Sequence, residues 1–204
     1  GHWEEAESLF GAAVRQCGVD ERARAGYAEA LWQRGACDAA IRELEQASRL
    51  AEGDHDLLVR LGEMRLARGD RDGAVACAQQ ALDRQRQCAS AWALQANVLR
   101  AQGKLDEALV SYHRALHCDA HRGDVQLAVA EVYCEQNRPR RALSTLEVLA
   151  DGYGPGKTPA RVLQLQGLAQ TQLKRYDEAV GNLLAAARQG PPSVEILRQL
   201  SQAQ

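Results

Sequence analysis

Alanine recurs at Ala6, Ala40, Ala74, Ala108 and Ala142, always 34 residues apart. Seven residues further on, the same interval separates Ala13, Ala47, Ala81 and Ala115, and Leu149 holds the next place. A turn residue keeps the step at Gly35, Gly69 and Gly103, followed by Asn137; both residue types tolerate the left-handed backbone that ends many helices. Three tracks on one period restrict the chain to a tandem array, because self-similarity at roughly 20 to 50 residues marks stacked repeats.

Each unit reads as two helices. Residues 89–102 run up to Gly103, and residues 104–118 then carry Ala108, Tyr112 and Ala115 at the four- and three-residue steps of one helical face. A pair of antiparallel helices cannot bury its apolar stripes alone, so neighbouring pairs must stack and share a core. The small residues Ala40, Ala47, Ala74 and Ala81 allow the helices to approach closely. Composition agrees: 36 alanines and 26 leucines against nine aromatic residues and five prolines favour helix over strand, so an all-α chain is expected.

The unit at 89–122 has Trp92, Ala96, Leu99, Ala108, Tyr112 and Ala115 where the tetratricopeptide repeat motif has Trp, Gly, Tyr, Ala, Phe and Ala, and it resembles that family. The units at 21–54 and 55–88 follow with Tyr27, Ala28, Leu31, Ala40, Leu44 and Ala47, and with Leu58, Leu61, Gly62, Ala74, Ala78 and Ala81. A fourth offers Val129, Ala130, Tyr133, Ala142 and Leu146; a fifth offers Leu163, Gly167, Ala179, Leu183, Ala186 and a closing Pro191. Gln95 and Gln166 depart from the motif at its Leu places, and most units lack the closing proline. The resemblance implies a right-handed superhelical solenoid of antiparallel helix pairs. The expected boundaries are the second helix of a truncated repeat at 1–20, then repeats at 21–54, 55–88 and 89–122. A repeat with an inserted loop at 151–159 covers 123–159, another covers 160–193, and the first helix of a truncated repeat covers 194–204. The insertion shows as a 37-residue step from Ala142 to Ala179. Ends that cut through a unit are expected of a segment of a larger protein.

Charge and cysteine usage narrow the function classes. Twenty-five Lys+Arg against 27 Asp+Glu leave a net charge of -2, so no positive field gathers nucleic acid or an anionic membrane. No apolar run approaches a membrane-spanning length and no leader pattern opens the chain. Six cysteines without a Cys-x-x-Cys pair read as reduced thiols used as small hydrophobes, which points to the cytoplasm. Gly156-Lys157-Thr158 matches the tail of a phosphate loop, but Asp151 stands where the leading glycine belongs and Pro159 follows at once. His113, His117 and His121 beside Cys118 form the one candidate zinc cluster. Arg114 replaces the glutamate of a H-E-x-x-H site and His121 is expected past the helix end, so solvated histidines are the preferred reading. Arg138-Pro139-Arg140-Arg141 and Arg84/Arg86 lack interleaved aromatics and read as solvated turn or helix faces. No Ser-His-Asp or Cys-His set can be assembled, so no catalytic residue, cofactor or metal is expected.

In the family, one face of each first helix lines a concave groove. The resemblance places Arg22, Ala25, Glu29 and Trp32, then Val59, Glu63 and Leu66, then Asn97 and Arg100, then Leu127 and Glu131, and finally Gln164 and Leu168 on that lining. Apolar spots alternating with Glu29, Glu63 and Glu131 suit a peptide or helix that carries basic residues among apolar anchors. The carboxylate clamp of some family members is not expected: Asn97 and Arg161 match it, but Ala93, Ala128 and Leu165 occupy its other places. Trp32 either anchors a partner or packs against the preceding helix near Phe10 or Trp3. The expected function is a non-catalytic scaffold for protein–protein interaction. The alternatives are a regulatory or substrate-recruiting arm of a larger enzyme and a self-association module stacking through open repeat ends.

Overall fold

The computed structural model describes residues 2–51, 53–154, 156–189 and 198. Among these it has eleven α-helices and no strand, and the chain forms two compact units, residues 1–118 and 119–204. The first unit holds α1 (His2–Gln16), α2 (Glu21–Gln33), α3 (Cys37–Leu50), α4 (His55–Ala67), α5 (Arg71–Arg84), α6 (Ala89–Ala101) and α7 (Leu105–Cys118). The second holds α8 (Gly123–Glu135), α9 (Pro139–Asp151), α10 (Ala160–Gln172) and α11 (Tyr176–Arg188). The first helix expected over 194–204 lies outside the described residues, apart from Arg198.

The pairs α2–α3, α4–α5, α6–α7, α8–α9 and α10–α11 are each joined by a three-residue turn, which returns the second helix antiparallel to the first. One hydrogen bond closes all five turns: Ala36 N–H donates to Leu31 O, Asp70 to Arg65 O, Lys104 to Leu99 O, Arg138 to Tyr133 O and Arg175 to Gln170 O, at 2.8–2.9 Å. This bond, from the residue after the left-handed one back into the helix, satisfies a carbonyl that the helix end would otherwise orphan. The left-handed residues are Gly35, Gly69, Gly103, Asn137 and Lys174. Helix starts follow the period too: Asp20 and Asp54, 34 residues apart, accept from the backbone N–H groups of Arg22 and Ala23 and of Asp56 and Leu57.

Within each pair the helices meet at small residues. Ala28, Ala96 and Ala130 on the first helices and Ala40, Ala74, Ala108, Ala142 and Ala179 on the second are all fully buried. A Cβ at Gly62 would stand 3.5 Å from Ala74 O, and one at Gly167 would stand 3.3 Å from Ala179 O. Leu44, Tyr112, Leu146 and Leu183 fill the space toward neighbouring helices, each at most 1% exposed. Besides these sequential contacts, α4 packs against α6 in the first unit and α8 against α10 in the second, so first helices stand side by side.

Candidate functional site

The first-helix residues that the period assigns to the lining fall into two groups, open and covered. In the first unit, Arg22, Glu63 and Asn97 are exposed, and Ala25, Glu29, Trp32, Leu66 and Arg100 are half-buried. Val59 is instead buried: it packs with Leu58, Ala81, Leu82, Cys88 and Ala91. In the second unit Leu127, Glu131 and Leu168 are half-buried, while Gln164 is covered and accepts from Arg161 Nη1 at 3.3 Å. The open apolar spots are therefore Trp32 and Leu66 in the first unit, and Leu127 and Leu168 in the second.

Trp32 rests on the core built from Ala28, Leu31, Ala40, Leu44, Ala47, Leu61, Met64 and Cys77, together with Ala25 and Tyr27. Phe10 lies over Gly26, where an added Cβ would stand 2.7 Å from its ring. Trp32 thus has a core-facing side and a partly exposed side. Leu66 packs against Ala74, Ala78, Leu94 and Val98; Leu127 and Leu168 pack against Ala130, Leu146, Leu149, Val162 and Leu165.

The carboxylates are not bare. Arg60, one turn before Glu63 on α4, donates from Nη2 to both oxygens of Glu29 (3.0 and 2.8 Å), from Nε to Glu29 Oε2 (3.0 Å) and from Nη1 to Glu63 Oε2 (3.0 Å). Gln33 Nε2 adds a bond to Glu29 Oε1 at 2.9 Å. Burial pushes the Glu29 carboxyl up, but the bonds from Gln33 and Arg60 and the guanidinium charge outweigh it and hold the group below its ordinary value. In the second unit Arg161 donates from Nη2 and Nε to Glu131 Oε1 at 2.7 and 3.1 Å. Beside Glu131, the Cys134 thiol is pushed up to about 11, by burial first and by the Glu131 carboxylate second. Each acidic spot read from the sequence therefore carries an internal arginine partner. The period gave Arg60 no role, because it lies off the family's lining positions and its partner stands on another helix.

Asn97 is tied to the second helix of its pair: Tyr112 O–H donates to Asn97 Oδ1 at 2.5 Å. His113 and His117 lie exposed on α7, which ends at Cys118, so His121 stands beyond it. Gly156-Lys157-Thr158 sits in the loop between α9 and α10; a helix, not a strand, precedes it. The Arg138–Arg141 run straddles a helix start, with Pro139 in its first turn and Arg141 stacked over the Tyr133 ring at 5.9 Å.

Two family models described as tetratricopeptide repeat match the chain, one over residues 1–55 and 59–125, the other over 99–155. No curated protein matches it. Among solved structures, a chain of the APC/C hetero-tetramer Cut9-Hcn1 aligns over 99% of this chain with a TM-score of 0.84 and 17% identity. This chain spans 40% of that one's length. PilF of Pseudomonas aeruginosa aligns over 99% of this chain and 90% of its own, with a TM-score of 0.79 and 18% identity. YrrB, described as a TPR protein with an unusual peptide-binding site, aligns over 95% and 98% with a TM-score of 0.64 and 16% identity. At these identities the likeness is one of fold.

Proposed function

The chain belongs to the tetratricopeptide repeat family, and on that premise we propose that it is a non-catalytic scaffold binding an extended peptide or helix of another protein along its first helices. The observation that carries this reading is the set of apolar side chains left half-open on those helices. Trp32 and Leu66 lie in one unit and Leu127 and Leu168 in the other, all seated on core residues. Rigid apolar anchors cost little entropy on binding and supply most of the affinity in such recognition. The peptide-binding description of YrrB, which shares the fold, supports the same class of ligand.

Because Arg60 and Arg161 offset the nearby carboxylates, apolar anchors select the partner first. Basic residues add a smaller increment, chiefly at Glu63, whose second carboxylate oxygen has no partner among the described residues. Screening a peptide library against the 204-residue chain tests the reading. Leu66→Arg and Leu168→Arg should each weaken captured peptides by about tenfold or more, the loss of one anchor. Val110→Arg, on an exposed position of α7, should leave them unchanged. Equal binding by all three variants would place the ligand elsewhere.

A second reading, self-association, is favoured by the exposed apolar side chains Trp3 and Leu9 on α1.

A further inference from the structure

Where three other units place Leu31, Leu99 and Tyr133 near the end of the first helix and the fifth places Gln170, the unit at 55–88 places Arg65. Leucine or tyrosine there closes the packing with hydrocarbon. A guanidinium must find acceptors, and Arg65 reaches back between α3 and α5 to do so. It donates from Nη2 to Glu45 Oε1 at 2.5 Å and from Nη1 to Gly73 O at 3.4 Å, and it touches Cys77 Sγ at 3.5 Å. Beside it a cavity of about 590 Å³ opens among α3, α4 and α5, a size typical of small-molecule sites. It lies on a different face of α4 from Glu63 and Leu66, roughly 130° round the helix.

We propose that this cavity is a second binding site, one that takes a small phosphate-bearing molecule. Its wall carries three guanidiniums, Arg49 from α3, Arg65 from α4 and Arg84 from α5, against the single carboxylate of Glu45. Glu45 is spent on Arg65. Among the described residues Arg84 makes one bond, from Nη1 to Asp54 O at 3.1 Å. Arg49 has no acceptor among the described residues. The Gln80 amide stands on the same wall, and Leu58 and Leu61 give it an apolar floor for the organic part of a ligand. Planar guanidiniums on separate helices match the oxygens of a phosphoryl group, whose charge they would share. Burial pushes the Cys77 thiol up, more than the Arg65 charge lowers it, so no thiolate cancels the wall's positive charge. A ligand here touches three successive helices at once, so binding should also hold the helices together.

Pyrophosphate is the probe, titrated calorimetrically into the 204-residue chain at fixed ionic strength, with the melting temperature followed in parallel. Saturable binding at one site per chain and a rise in melting temperature are expected. The double variant Arg49→Gln/Arg84→Gln, at two exposed positions, should lose about tenfold or more in affinity. Gln80→Glu, which adds a carboxylate to the wall, should do the same and decides the matter if the double variant fails to fold. Leu66→Arg should bind pyrophosphate as the unaltered chain does, which separates this site from the peptide-binding face. Absence of saturable binding to the unaltered chain, or unchanged affinity in the arginine and Gln80 variants, overturns the proposal.

Discussion

At the scale of single residues, the chain's arginines decide how its acidic spots behave. Glu29, Arg60 and Glu63 form one bridge from α2 to α4, and the depressed Glu29 carboxyl makes that bridge sensitive to pH. A carboxyl held below its unfolded value contributes stability above that value, near pH 4 for an ordinary glutamate, and loses it as the pH falls through the folded one. Both side chains are about a third exposed, so solvent screening limits the contribution to about 0.5 kcal/mol. Glu29→Gln should therefore unfold at slightly lower urea than the unaltered chain at pH 7, and the gap should close below about pH 4. A gap that persists in acid would mean that Glu29 acts through packing instead. None of this was legible in the sequence. The spacing identified Glu29 and Glu63 as neighbours on a shared face, but a period reports what recurs, and Arg60 and Arg65 do not recur. Their partners stand on other helices, so only folded distances reveal them. Val59 and Gln164 were misplaced for a related reason: the period locates a face, whereas burial at its edge depends on what packs alongside.

At the scale of elements, the helix pairs were legible because two backbone requirements repeat with the period. Small residues must meet inside each pair, and a left-handed residue must end each first helix. Glycine and asparagine announced four of those turns; the fifth is Lys174, with φ of 60°, where a side chain with no turn preference conceals the same geometry. The close approach makes glycine-to-alanine changes diagnostic. Alanine raises helix propensity by about 1 kcal/mol at either Gly167 or Gly181. At Gly167 the new methyl meets Leu183 Cγ at 2.6 Å, and Leu183 is fully buried. Overpacking of that kind costs about 1–3 kcal/mol, which outweighs the propensity gain. At Gly181, within α11, nothing stands within 4 Å. Gly167→Ala should thus destabilise by about 1 kcal/mol and Gly181→Ala should stabilise by up to about 1 kcal/mol, read as opposite shifts in the urea midpoint. Shifts of the same sign would show that the two interiors are not packed as described.

At the scale of the whole molecule, every helix depends on its neighbour for burial, so a helix with an unshared apolar face has a reason to find another surface. On α1, Trp3 is 48% exposed and Leu9 71% exposed. Phe10, on the same side as Trp3, is already committed to Gly26. Little opposes association, because a net charge of -2 on 204 residues gives weak mutual repulsion. Sedimentation of the unaltered chain should show a mass that rises with protein concentration, and added salt should strengthen the effect, since apolar contact rather than ion pairing drives it. Leu9→Glu combined with Trp3→Glu extends the acidic run of Glu4, Glu5 and Glu7 and leaves the Phe10–Gly26 contact intact. That variant should stay folded and shift association to concentrations about a hundredfold higher or more, the effect of removing roughly two buried apolar side chains. If its mass profile matches that of the unaltered chain, association does not run through α1.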